Sequence, residues 1–210
     1  MTIEEFETKF EIYLCDNYEI IKSCLKEGDT FVDIGANTGL LSKKIYDSIK
    51  LDKIYLFEPI VELANSITDK FKNCNNVEIL TYGVSNSESV KEIYVSKKNY
   101  AYNKIYVDGM HIDPHTKEMI NCIRFSDWVG DRKIDFIKID VEGHDIEVIE
   151  GMYDWLNIID KKPYILFEGG WYLTREIELI NNMVKLYGYD YKKIGRDNLL
   201  IPSNIKTNLI

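Results

Sequence analysis

Closely spaced cysteine pairs, a basic excess and long apolar runs are all missing from this sequence of 210 residues. The four cysteines, Cys15, Cys24, Cys74 and Cys122, are too widely spaced to clip zinc or to form a redox pair, and they fit reduced thiols in a cytoplasmic setting. Glycine and proline are sparse, at 12 and 4, which argues against a disordered or low-complexity chain. No apolar stretch approaches the ~18 residues of a membrane helix, so no membrane span is expected. The opening MTIEEFETKF is too acidic for a leader peptide. Lys and Arg number 26 against 35 Asp and Glu, a net charge of −9. Neutralising many phosphates takes a basic face, so a nucleic-acid partner is not expected. What is abundant is the material of a packed core: 45% hydrophobic residues, with 15 Tyr, 8 Phe and 3 Trp. Nothing in the composition sets an oligomeric state.

Ile3, Phe6, Phe10 and Tyr13 recur at helical spacing, so residues 1–27 read as an N-terminal helical segment ahead of a single domain over 28–210. From Thr30 onward, short β-branched runs alternate with amphipathic stretches, the rhythm of βα units around a mostly parallel sheet. Strands are expected near Thr30–Ile34, Lys53–Phe57, Val77–Thr81, Ile134–Ile139 and Tyr164–Phe167, with further strands at Val90–Val95 and Met119–Phe125. A helix from Thr174 to Tyr187 stops at Gly188, and YDYKKI and NLLIP then form an antiparallel hairpin at the sheet edge. Residues 96–121, with Tyr100, Tyr102, Tyr106, His111, Asp113, Pro114 and His115, lack a clear period and read as a lid or acceptor loop.

The sharpest local signal is FVDIGANTGL, residues 31–40. A strand runs into Gly35, Asn37 and Gly39, and the absence of a Cβ at Gly35 and Gly39 allows a tight turn and close approach to a ligand. Glu58 closes the next strand, where such folds place a carboxylate on a ribose diol. An acidic residue, Asp33, stands where a dinucleotide fingerprint has its first glycine. That charge repels a pyrophosphate but attracts the ammonium and sulfonium of S-adenosyl-L-methionine, the cofactor this pattern predicts. A glycine turn serving only strand–helix packing is the plainer alternative.

A second dense segment is IDFIKIDVEGHDIEVIEGM, residues 134–152. Lys138 and Asp140 project from one side of a strand, either to neutralise each other or to act chemically. Asp140, Glu142, His144 and Asp145 gather at that strand's carboxyl end, the ligand-binding edge of an open α/β sheet.

Together, FVDIGANTGL, LFEP, RFSDWVG, FIKIDVEGHDIEVIEGM and ILFEGG resemble the FkbM family of S-adenosylmethionine-dependent methyltransferases over residues 28–170. The resemblance implies an α/β Rossmann-like class I methyltransferase sheet, mostly parallel with its last strand antiparallel, and helices on both faces. It implies O-methylation of a hydroxyl on a sugar, glycan or natural-product small molecule. It assigns Asp33, Gly35, Asn37 and Gly39 to the methionine end of the cofactor, Glu58 to its ribose, and Gly83, Val84 and Ser85 to its adenine. Asp140, Glu142 and Glu168 would border the reacting methyl. His144 departs from the small or apolar residue more frequent in the family, and TYGVS departs from an alanine-containing turn.

For the general base, Asp140 and Glu142 lead by position, and His144 is the group titrating nearest neutrality. Lys138 and Glu168 complete the catalytic set. His111 and His115 have a helical ligand spacing that Pro114 interrupts, so no metal is expected. Trp171, following Glu168, is either rim packing or a wall on which a sugar stacks. An RNA ribose methyltransferase, with Lys138 beside carboxylates, and a non-catalytic nucleotide-binding module are the competing functions.

Overall fold

The computed structural model describes residues 2–10, 15–96, 103–105 and 115–204. Two helices, α1 (Ile3–Phe10) and α2 (Cys15–Cys24), precede the first βα units: β1 (Thr30–Ile34), α3 (Leu40–Ser48), β2 (Lys53–Phe57), α4 (Val61–Phe71) and β3 (Val77–Leu80). Then come β4 (Gly83–Ser85), β5 (Ser89–Ser96), β6 (Lys104–Ile105), β7 (His115–Arg124) and α5 (Phe125–Val129). The chain returns through β8 (Phe136–Ile139), α6 (Asp145–Glu150), α7 (Tyr153–Ile158), β9 (Tyr164–Glu168), α8 (Leu173–Leu186), β10 (Tyr189–Ile194) and β11 (Asp197–Pro202). No described helix is long and apolar enough to cross a membrane.

The main sheet has the order β10-β11-β9-β8-β1-β2-β3, and β11 runs antiparallel to both neighbours. The expected fold class is therefore present, and the β10–β11 hairpin forms the sheet edge as expected, with β10 outermost and β11 between β9 and β10. Alternate residues feed opposite faces, Val32 and Ile34 joining Ile137, Ile149 and Phe167 in one core, Phe31 joining Ile21, Ile45 and Ile54 in the other. Strand order reverses between β1 and β8, and their carboxyl ends open a crevice there.

A second sheet, β4-β7-β5-β6, stands beside that crevice. Its Ile93, Val95, Ile120 and Cys122 bury against Ile60 and Leu63 at the start of α4. This sheet corrects the reading of residues 96–121 as one loop, because 115–121 belong to β7 and pair with β5. Tyr100, Tyr102, Tyr106, His111, Asp113 and Pro114 lie outside the described residues. His115 starts β7, its ring 4.2 Å from that of Tyr94.

Candidate functional site

The crevice is a cleft of about 680 Å³ running from the β1–α3 turn, across the ends of β2 and β8, to the end of β9. Gly35, Asn37, Glu58, Gly83, Val84, Lys138, Asp140, Glu142, His144 and Glu168 all line it, so ten of the residues singled out in the sequence meet in one cavity.

At the turn, Gly35 has φ +81°, and a Cβ there would collide with the Asp140 carbonyl oxygen. Glycine is required because the turn after β1 presses on the turn after β8. Asn37 follows in a left-handed conformation, φ 54°, and donates its N–H to Glu58 Oε2 at 2.9 Å. Glu58 Oε1 accepts from the Ile60 N–H at 2.9 Å. Burial raises the Glu58 carboxyl to about 8, and these two backbone donors only partly offset it. Each carboxylate oxygen retains acceptor capacity for a hydroxyl.

Three expected cofactor residues stand behind the cleft wall. Asp33 is fully buried on β1, in register with Lys138 of β8. It accepts from Ser42 Oγ at 2.5 Å and lies 3.1 Å from the Lys138 ammonium. Lys138 in turn donates to the Gly35 carbonyl at 3.2 Å and approaches Asp140 at 3.5 Å. Burial disfavours its charge, but Asp33 and Asp140 overcome this and hold the ammonium well above its usual range. Asp33 thus fixes Lys138, which joins both turns. Gly39, at φ +75°, packs against Ile67 and Phe71 of α4, where a Cβ would make a tight contact, 3.1 Å from Ile67 Cγ1. Ser85 is buried and bonds His144.

The carboxylates of Asp140, Glu142 and Glu168 lie within 4.8 Å of one another. Glu142 sits in a left-handed conformation, φ 52°. Burial, then Asp140 and Glu168, raise its carboxyl to about 8. Glu168 accepts the Trp171 indole N–H at 2.7 Å and pairs with Arg196 at 2.7 Å. His144 Nε2 is 2.9 Å from Ser85 Oγ, and Nδ1 faces Glu147 at 3.5 Å without a hydrogen bond to it. Burial holds it near 4, so the ring is neutral at pH 7 and ties the β8–α6 turn to β4.

A model of the methyltransferase FkbM domain matches residues 33–191. The chain belongs to the FkbM methyltransferase family. The matched domain is that of a methyltransferase, an enzyme that moves a methyl group from a donor such as S-adenosyl-L-methionine. The fold also resembles a crystal structure of methyltransferase FkbM from Methylobacillus flagellatus, at 14% identity and TM-score 0.61, covering 84% of this chain and 44% of that one. This chain thus spans less than half of that protein. A putative rRNA methylase from Clostridium thermocellum aligns at 12% identity and TM-score 0.55, over 89% of this chain and 92% of that one. A putative methyltransferase from Streptococcus mutans, solved with S-adenosylhomocysteine, aligns at 9% identity and TM-score 0.52, over 88% and 94%. No match was found among curated proteins.

The residues present suit this methyl donor. The cleft offers the buried Glu58 carboxylate, of a kind that suits a ribose diol, and the Asp140, Glu142 and Glu168 carboxylates, which suit a cationic group, whereas the Asp33 charge is taken by Lys138 and is not available to the donor. Sequence reasoning did not find Phe6 of α1, Lys104 of β6, Arg196 of the β10–β11 turn or Asp197 at the start of β11, all of which line the cleft. Arg196 and Asp197 arrive through the pairing of β11 with β9, where Asp197 faces Glu168 in register. No local motif announces that pairing.

Proposed function

We propose that the FkbM-family cleft O-methylates a hydroxyl on a sugar, glycan or natural-product small molecule, with Glu142 as general base. The observation carrying this reading is the Glu142 carboxyl, raised to about 8 and placed in the cleft between Asp140 and Glu168. A base is most useful when its pKa lies near the working pH. Bound S-adenosyl-L-methionine supplies a methyl group already activated by its sulfonium. The chain's share is to bind, align and deprotonate. Gly35, Asn37 and Glu58 hold the donor, and Gly83 and Val84 border its adenine. Asp140 and Glu168 orient the acceptor hydroxyl, and the Glu142 carboxylate takes its proton as the new C–O bond forms. Alignment of oxygen and methyl can supply roughly 7–11 kcal/mol. The base adds about 10²–10⁴-fold.

The ribose-methylation alternative needs a lysine free to act on a 2′-hydroxyl. Lys138 is 5% exposed and committed to Asp33, Asp140 and the Gly35 carbonyl, which favours a structural part for it. Residues 103–105, within the segment 96–121 expected as a lid or acceptor loop, line the cleft. Incubation with methyl-labelled donor and separate pools of glycans, hydroxylated natural products and RNA tests the reading. Label in the glycan or natural-product pool, lost in Glu142→Gln, supports it. Label in RNA alone, or none in any pool, overturns it.

A further inference from the structure

At the far end of the cleft from Glu58, a carboxylate floor is rimmed by two cations. Trp171 is held rigidly there. Its N–H is fixed to Glu168, and one ring face rests on Gly143, where an added Cβ would come within 3.2 Å of the indole. Against this ring lies the Lys104 ammonium, 5.5 Å from the centroid. Among the described residues Lys104 has no carboxylate at ion-pair distance, although Glu142 is near enough to sense its charge. A lysine lining the same cleft as Asp140, Glu142 and Glu168 would ordinarily pair with one of them. Here it is kept on an indole face, an interaction worth about 0.5–1 kcal/mol at exposed sites. Arg196 stands on the same rim, 76% exposed in its side chain, with one nitrogen on Glu168 and a guanidinium whose five donors exceed that need. A charge-assisted contact is stronger than the cation–π contact it would replace.

We infer that the acceptor carries an anionic group, a carboxylate or a phosphate on the polyol bearing the reacting hydroxyl, seated by Lys104 and Arg196 over Trp171 while that hydroxyl meets Glu142. The inference rests on the reading of the cleft as a methyl-transfer site. Charge at both levels fits an acceptor with a neutral reacting end and an anionic rim end. The acidic floor excludes the reverse orientation, and the rim cations discriminate against a wholly neutral sugar.

The test follows the Trp171 indole N–H resonance, assigned through Trp171→Phe, in protein saturated with S-adenosylhomocysteine. D-glucuronate, D-glucose 6-phosphate and D-glucose are titrated in turn. At least one charged sugar should bind roughly tenfold or more tighter than glucose, the scale of a single charge-assisted contact. Preference for glucuronate or for the phosphate identifies the source of the anion. Lys104→Gln should erase most of that preference, and Arg196→Gln should reduce it. Equal affinities for all three sugars, no response to any of them, or a preference surviving both substitutions overturns the inference. Calorimetry with S-adenosylhomocysteine alone separates the two levels. Failure to bind it removes the methyl-transfer reading, whereas binding it without a charge preference removes only the anionic acceptor.

Discussion

Glu142 combines two costs that a structural residue would avoid. Its left-handed backbone costs about 1–3 kcal/mol in a residue other than glycine. Its carboxyl is crowded by Asp140 and Glu168 in a site that already disfavours charge. Both are explained if the residue must present a poised carboxylate. Because a base works deprotonated and about 8 is the value in the ligand-free cleft, kcat/KM should climb with pH until about 8 and then level. Glu142→Gln should lower kcat by about 10²–10⁴-fold and remove that limb, with S-adenosylhomocysteine affinity unchanged within about threefold. A surviving limb in the variant would assign the proton to another group. Glu58 gives a different pH signature. A ribose hydroxyl donates to the anion, and the free protein holds much of Glu58 protonated below about 8. Affinity for S-adenosylhomocysteine should therefore rise between pH 6.5 and 8 and plateau above, while Glu58→Gln binds roughly tenfold more weakly with a flat profile. Calorimetry across that range checks it.

Among the elements, β1 and β8 are joined by more than their ladder. Asp33 and Lys138 meet across the register, buried, with Ser42 and the Gly35 carbonyl completing the contacts. Removing one partner of a buried pair strands the other, so Lys138→Met should cost about 3–5 kcal/mol in denaturant unfolding. Lys138→Met with Asp33→Asn should cost clearly less than the sum of the singles; additive losses would show that the pair is not coupled. Asp33 also shows where sequence reasoning reached its limit. Its position at a strand end next to a glycine turn was legible, and its use was not, because only the register with β8 shows that Lys138 takes its charge. The βα rhythm was legible because β1, β2, β8 and β9 are apolar almost throughout, the mark of strands covered on both faces. The second sheet was harder to read. In β7 only Ile120 and Cys122 are buried among ten residues, too few to make an alternation, and β4 has three residues. Gly151, in the motif after α6, has a plain cause: a Cβ would strike the Ser85 carbonyl where α6 approaches β4.

For the whole molecule, gathering carboxylates at one cleft makes stability depend on pH in a direction opposite to ordinary acid denaturation. Glu58 and Glu142 are raised from 4.5 to about 8, so between those values the folded protein binds more protons than the unfolded chain. Their stabilising contribution is complete below 4.5 and is lost as pH climbs through 8. His144 works the other way: lowered from 6.5 to about 4, it adds stability as pH rises to 6.5 and nothing further above. Above 6.5 the two glutamates therefore act unopposed by the histidine. The melting temperature of the ligand-free protein should fall between pH 6.5 and 8.5 by roughly 5 °C or more. Glu58→Gln with Glu142→Gln should flatten that slope, since neither amide titrates. Saturating S-adenosylhomocysteine should flatten it in part, by stabilising the Glu58 anion. A melting temperature that is level or rising over this interval, measured by calorimetry in buffers of matched ionic strength, would mean that the cleft carboxyls are solvated and ionised well below 8, and the assignment of Glu142 as a base poised near neutrality would lose its physical ground.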